Sequence, residues 1–449
     1  MRLVISFGLE KDESEQTLLS QGLALAYGHV PPLYTWLQWG FFKILGVGVA
    51  SLAALKACLY YLLFHGAYAS AKALGMEEKR AALASASLFL LPQIGWEAQR
   101  DLSHTLLATA LASQMLAFFL RFSERPEKAG FLLPGLLLGL GVLAKYNFVF
   151  FTAGLLASCL TLPAFRSWLL KPRGGLGALV LAALVAAPHF WAFLHQKGAQ
   201  ASFLQEISAH GSQPFLTLFS LGQAVLSFAA FFAVVFLAFF GPPKKTALSP
   251  GGKLLARSLP LSLLFLALAS FFLGLETVKD RWLTPTFFSL PLLAFACIGE
   301  KSGRERPYGI FLLAVILCFF TGLAGRALFS DLRGKYDELN YPMESVAAAL
   351  ARSGFTEGTV VCDHARLCGP LRLYFPKAVF YAPHPGLKPP QKDIKVLLWQ
   401  GDGPMPSAIK PFFEPLAQKM PPMPVVRIKA KMRYSKKAMF TVSYALLAP

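Results

Sequence analysis

Residues 131–163 read FLLPGLLLGLGVLAKYNFVFFTAGLLASCLTLP, an apolar run whose one charge is Lys145. As a continuous helix it would rise about 50 Å, against a hydrocarbon core of about 30 Å. One crossing is too few for it. Basic clusters flank the run on both sides, Arg121/Arg125/Lys128 before and Arg166/Lys171/Arg173 after. Lys and Arg collect on the cytoplasmic loops of membrane proteins. Both ends therefore read as cytoplasmic, which demands an even number of passes and a turn near Lys145-Tyr146-Asn147 on the outer side.

The same punctuation continues along the chain. Lys72/Lys79/Arg80, Lys244/Lys245/Lys253/Arg257 and Lys301/Arg304/Arg306 mark further cytoplasmic loops. Between the clusters, the need for about 20 apolar residues per crossing predicts spans near 50–75, 80–95, 103–121, 131–144, 146–163, 176–195, 216–241, 258–275, 282–299 and 308–328. By alternation, residues 1–49, 96–102, 196–215, 276–281 and everything after about 329 are expected outside the cytoplasm. Met1–Leu9 is too short to span, so the expectation is that a first helix is missing from this reading frame, and no signal-peptide pattern replaces it.

With 55% hydrophobic residues and 15% charged, the chain cannot be one soluble domain. A net charge of +19 suggests nucleic acid, but the basic residues fall in short loop clusters instead of one stripe or helix face. The membrane accounts for them, and nucleic acid is not an expected partner. The fold class is an α-helical polytopic membrane protein with a C-terminal extracytoplasmic α/β domain. Residues 1–328 form the membrane domain and residues 329–449 the outer one.

In that outer domain the long apolar runs give way to short alternating ones. Strands are expected near 359–363, 378–382, 395–399, 424–429 and 438–446, and helices near 342–354, 365–375 and 406–419. Cys58, Cys159, Cys297 and Cys318 read as small apolar packers. Cys362 and Cys368 lie six apart in the outer segment, where an oxidising compartment permits a bridge. Near the start, Leu18, Leu19, Leu23 and Leu25 among polar positions predict a short amphipathic helix lying on the membrane. Pro31-Pro32 opens a second helix, whose Trp36 and Trp39 suit the lipid–water boundary. Gly135 and Gly139, four apart, offer a close helix-packing face.

The chemistry gathers where the topology converges. Asp12 and Glu13 open a helix, and Arg100-Asp101 precedes a span; helix-end acids and an interfacial ion pair are the plainer accounts. Two acidic loops on one face also suit a general base toward an acceptor hydroxyl, or the binding of a divalent ion. Lys145, Lys279 and Arg281 lie outside, against the charge trend. They either snorkel to the interface or grip an anionic headgroup, arginine through two oxygens and lysine as a point charge. His29 and His104 sit beside the acidic motifs; His189, His195, His364 and His384 carry no such association. No Walker loop, dinucleotide fingerprint or H-E-x-x-H is present.

The run Asp12-Glu13-Ser14-Glu15-Gln16, followed by Tyr27-Gly28-His29-Val30-Pro31-Pro32-Leu33-Tyr34, resembles the first outer loop of bacterial glycosyltransferase family 39. That family includes relatives of protein O-mannosyltransferases and of the lipid A aminoarabinose transferase. Trp96 to His104 is similar to the second loop, and Lys145-Tyr146-Asn147-Phe148 and Asp280-Arg281-Trp282-Leu283-Thr284-Pro285 to later signatures. Asp363-His364 and Gly369-Pro370-Leu371-Arg372 resemble the family's tail. The resemblance implies a GT-C type bundle that takes a sugar from a polyprenyl phosphate, with inversion, at the outer leaflet. His29-Val30 before the double proline departs from the usual pattern.

Carried over, the resemblance makes Asp12 and Asp101 the catalytic acids. Glu13, Tyr34, Arg100, Lys145, Tyr146, Lys279 and Arg281 then bind substrate, with Lys145 and Arg281 on phosphate. The implied partners are a polyprenyl-phosphate sugar donor, a lipid or cell-envelope glycan acceptor and the bacterial inner membrane. No organic cofactor is implied, and a divalent cation is an option at the acids. Two other readings stand beside this one: a flippase or transporter of lipid-linked sugar, and an envelope scaffold whose outer domain binds partners. Transporters place charges mid-span and repeat internally, whereas these charges gather at one face.

Overall fold

The structure, a computed structural model, describes residues 2–6, 8–196, 200, 214–242, 248–275, 277–298, 303–390, 393–412 and 424–447. Most of the expected outer loop 196–215, together with Lys244, Lys245, Lys301 and the second half of the helix expected at 406–419, lies outside the described residues. Two compact units divide the chain: residues 1–29, 35–56 and 320–449 form one, residues 30–34 and 57–319 the other. This division differs from a boundary at 328/329, because residues 1–29 and 35–56 fold with the C-terminal sheet.

Apolar sequence without water must satisfy its backbone internally, and it does so as helix. Among the described residues, six helices are long and apolar enough to cross a membrane: Val49–Ala73, Ser103–Arg121, Gly175–His195, Pro214–Phe240, Pro250–Phe272 and Glu305–Leu328. The protein is thus a multi-pass membrane protein, but its spans are fewer than the ten expected. The segment at 80–95 breaks into Glu78–Ala86, a 3-10 turn Ser87–Leu90, a π-helical turn Gln93–Glu97 and Ala98–Arg100. Pro92 explains the break, since it cannot donate to the ladder and crowds the preceding turn.

The segment at 282–299 splits likewise into Thr284–Phe287 and Leu290–Ala296, with Pro285 and Pro291 in their first turns. The opening run 131–163 forms two helices, Leu132–Ala144 and Phe148–Leu160, with the turn at Lys145-Tyr146-Asn147 as expected. At 13 residues each, these helices reach about 20 Å, short of a full crossing. The second meets Pro163–Leu169 at a bend of 116°, and counted with it makes a seventh span. Gly135 and Gly139 do form a close packing face: an added Cβ would stand 2.9 Å from the Ala178 carbonyl oxygen and 2.8 Å from the Val185 Cβ on Gly175–His195.

In the other unit, β1 (Thr359–Cys362), β2 (Val379–Tyr381), β3 (Ile394–Gln400), β4 (Val425–Lys431) and β5 (Met439–Leu446) form one sheet in the order β2-β1-β3-β5-β4. β1 runs parallel to β2 and β3, while β5 is antiparallel to both β3 and β4. The period-2 alternation sends Val360, Cys362, Phe380, Val396, Leu398, Phe440, Val442 and Tyr444 to one face. There they meet helices Met343–Arg352 and Ala365–Leu371. Val361, Leu397, Trp399 and Ala445 build a second core on the opposite face. Cys362 and Cys368 form a disulfide, joining the end of β1 to the helix that follows.

Leu18 belongs to the first of these cores. The expected amphipathic helix runs from Lys11 to Leu19, and Leu18 and Leu19 are 1% and 2% exposed. That helix spends its apolar face on protein, correcting the expectation that it lies on the membrane. Leu23 and Leu25 stay exposed beside Trp36 and Trp39 in an open apolar hollow. The second helix, Leu33–Leu45, begins directly after Pro31-Pro32 as expected.

Candidate active site

In the helical unit the predicted residues collect around the start of helix Ser103–Arg121. The approach to it is irregular: the π-helical turn ends at Glu97, Ala98–Arg100 makes a last turn, and Leu102 adopts φ +62°. A leucine in the left-handed region costs about 1–3 kcal/mol, and such strain concentrates at functional loops. Asp101 stands at this corner, half-buried, its amide bonded to the Glu97 carbonyl at 2.8 Å. Arg100 pairs with Glu97 at 3.7 Å.

At the second position of the helix, His104 Nδ1 lies 3.2 Å from the Ala144 carbonyl, and its ring meets Tyr34 at a centroid distance of 5.3 Å. Thr105 accepts a hydrogen bond from Lys145 Nζ. Tyr34, Asp101, His104 and Lys145, far apart in sequence, thereby gather at one helix start. Tyr146, next along, places its hydroxyl 2.9 Å from His189 Nε2 and its ring among Phe190 and Phe193.

Asn147 Nδ2 donates to the Trp282 carbonyl at 3.0 Å, tying this turn to the 3-10 turn Asp280–Trp282. That turn carries Arg281, with Lys279 extended just before it. Asp280 fixes its shape: Oδ1 accepts from the Arg281 amide at 2.7 Å and Oδ2 from Gln93 Nε2 at 2.7 Å. Asn147 and Asp280 stand in the motifs quoted above, whereas Gln93 and Thr105 escape a reading for charge at span ends. The one signal they leave is a lone polar residue within or beside an apolar run.

Asp12 and Glu13 belong to the unit that contains the sheet. Asp12 is half-buried in the first turn of helix Lys11–Leu19. Glu13 is buried, and its carboxylate accepts the Glu10 amide at 3.1 Å, so it holds the helix start in the way its plainer account requires. Helix Ala365–Leu371 crosses closely beneath: a Cβ on Gly369 would come within 2.5 Å of the Ser14 carbonyl oxygen. Arg372 donates to the Thr17 carbonyl and stacks on Phe42 at 5.5 Å. Burial pushes its pKa down to about 10, which leaves it charged at neutral pH. The segment resembling the family's tail is thus the seat of the helix that bears Asp12.

Among the described residues no group of three or more His, Cys, Asp or Glu side chains is arranged to hold a metal ion. What the helical unit does supply is cations on two joined turns and a carboxylate at a helix start. Such a set can neutralise charge building on a phosphate while a hydroxyl loses its proton.

Residues 29–191 match the model of a family described as dolichyl-phosphate-mannose-protein mannosyltransferase. The chain is 32% identical over 412 residues to the lipopolysaccharide core galacturonosyltransferase RgtB of Rhizobium johnstonii, covering 89% of this chain and 83% of that one. To the lipopolysaccharide core galacturonosyltransferase RgtA of the same organism it is 30% identical over 423 residues, 89% of this chain and 84% of the relative. ArnT from Cupriavidus metallidurans in the apo state superposes with a TM-score of 0.65 at 12% identity, covering 98% of this chain and 95% of ArnT. ArnT bound to undecaprenyl phosphate gives 0.60 at 14% identity, with the same coverage. These likenesses place the fold in the GT-C class.

Proposed function

The chain belongs to the GT-C family of membrane glycosyltransferases related to dolichyl-phosphate-mannose-protein mannosyltransferases, and from that premise we propose that it moves a uronic sugar from a polyprenyl phosphate to lipopolysaccharide. The observation that carries the proposal is the likeness, over most of both chains, to lipopolysaccharide core galacturonosyltransferases. As a glycosyltransferase it breaks the bond from sugar to carrier and makes a glycosidic bond to the acceptor, so the transporter and scaffold readings fall away. The Cys362–Cys368 bridge supports an extracytoplasmic placement of the sheet, since such bonds persist in oxidising compartments.

In the proposed reaction, Asp12 takes the proton of an acceptor hydroxyl as its oxygen attacks the anomeric carbon. The bond from that carbon to the phosphate oxygen breaks, and the electron pair leaves with the polyprenyl phosphate. Attack opposite the leaving group inverts the anomeric centre. Lys145 and Arg281 meet the charge released on the phosphate, a contribution greatest where water is excluded. Tyr34, Tyr146, Arg100 and Lys279 hold the sugar and headgroup, Glu13 shapes the loop that carries Asp12, and Asp101 orients the acceptor or a divalent ion.

Mass spectrometry of lipopolysaccharide from cells with and without the protein tests this. Loss of a hexuronic acid from the core or lipid A is expected, and unchanged core and lipid A overturn the proposal. Loss of a hexose or aminosugar would keep the transferase and replace its donor. Asp12→Asn and Asp101→Asn should each abolish the modification while the folded protein remains in the membrane.

A further inference from the structure

The helix bearing Asp12 is crowded with carboxylates: Glu10, Asp12, Glu13 and Glu15 fall within six residues. Glu10, Glu13 and Glu15 have partners inside their own unit. Glu10 pairs with Arg326, which also reaches Asp337 at 3.2 Å. Glu13 is spent on the Glu10 amide. Glu15 meets His384 Nε2 at 3.4 Å, a histidine from the loop that follows β2.

That last contact is closely built. Gly28 has φ +63°, and a Cβ there would meet Pro385 Cβ at 2.7 Å; a Cβ on Gly386 would meet the Tyr27 carbonyl carbon at 2.8 Å. Two glycines thus let the loop 384–386 press onto the Tyr27–His29 turn. The Gly386 amide donates to His384 Nδ1 at 2.9 Å, which puts the proton of the neutral ring on Nε2, facing Glu15. His29 flanks the pair, its ring centroid 6.2 Å from that of His384. Glu15 stands three residues after Asp12, and residues at that spacing share one helix face.

We propose that His384 is a positioning residue of the transfer reaction: by holding Glu15, it keeps a second carboxylate on that face from competing with Asp12 for the acceptor hydroxyl. The C-terminal domain then takes part in catalysis through one imidazole. This rests on the reading of Asp12 as the base. It gives a function to a histidine that no sequence motif singles out.

The test is a double-mutant cycle on the full-length protein in membranes. Initial rates are measured from a synthetic polyprenyl-phosphate galacturonate to lipopolysaccharide. His384→Ala should lower the rate about tenfold, whereas His384→Gln, which retains an N–H donor, should keep most of it. Glu15→Gln removes the competitor and should stay within about threefold of wild type. In that background His384→Ala should cost less than about twofold, because residues acting as one unit are not additive. Equal losses from His384→Ala in both backgrounds, or a Glu15→Gln variant as inactive as His384→Ala, would overturn the proposal. Full activity of Asp12→Asn would instead remove the base assignment, whatever the cycle shows.

Discussion

The Asn147 side-chain amide donates to the main-chain carbonyl of Trp282 at 3.0 Å, so the turn carrying Lys145 and the turn carrying Arg281 are joined by a hydrogen bond. The two cations assigned to the leaving phosphate therefore share one frame. Lys145→Met or Arg281→Met should lower kcat/KM about a hundredfold, as loss of a preorganised charge does. Asn147→Leu should cost about tenfold, the value of one hydrogen bond plus a carbonyl left unsatisfied. Steady-state kinetics of the three variants check this ranking, and an Asn147→Leu enzyme with wild-type kinetics would dissolve the link.

Gly369 is where helix Ala365–Leu371 touches the backbone of Ser14. A side chain there has no room, because the nearest atoms are main chain and cannot swing away. Gly369→Val should unseat the Asp12 helix and expose Leu18, whose burial is worth about 1.5–3 kcal/mol. Limited proteolysis near residues 20–25 should speed up while Cys362 and Cys368 stay unreactive to thiol reagents before reduction. Proteolysis at the wild-type rate would show that the helix is seated by other contacts.

The elements that announced themselves in the sequence are those with a local cause. The turn at Lys145-Tyr146-Asn147 follows from a run too long for one crossing, and β1, β3 and β5 from residues alternating between two cores. Ten spans were expected because hydropathy does not register a break such as Pro92, which leaves composition apolar while ending the helix. Leu18 was read toward lipid since an amphipathic face does not name what covers it; the cover is a domain more than three hundred residues later. Gln93 with Asp280, 187 residues apart, and Glu15 with His384, 369 apart, are partners across long separations too. Such pairs leave no periodic trace, so they become visible with the fold.

Asp331 supplies a pH dependence with a definite sign. The Tyr336 hydroxyl, Ser435 and the Lys436 amide hold its carboxyl down at about 2, below its ordinary value of 3.8. A depressed carboxylate contributes stability above the unfolded value and loses it as pH falls through the folded one. Asp331→Asn should therefore melt below wild type at a constant offset above about pH 4, with the two curves converging toward pH 2. Thermal melts of the full-length protein in detergent across this range measure it. An offset that persists at pH 2 would mean that Asp331 acts through packing and not through its charge.

His189 is 1% exposed on helix Gly175–His195, flanked by Phe190 and Phe193, with its Nε2 2.9 Å from the Tyr146 hydroxyl. An ionisable side chain inside an apolar helix is expensive, and one paired with a neighbour of Lys145 has a reason to be there. The bond fixes the Tyr146 ring one residue from Lys145, the cation proposed for the phosphate. His189→Leu removes this hydrogen bond from a half-buried hydroxyl, at about 0.5–1.5 kcal/mol, and lets that ring turn. His189→Gln retains a carbonyl acceptor for it. The expected result is a KM for donor raised about tenfold in His189→Leu and largely restored in His189→Gln, with Tyr146→Phe as impaired as His189→Leu. Should Tyr146→Phe bind donor as wild type does while His189→Leu fails, the histidine serves the helix packing and the hydroxyl serves nothing in the site.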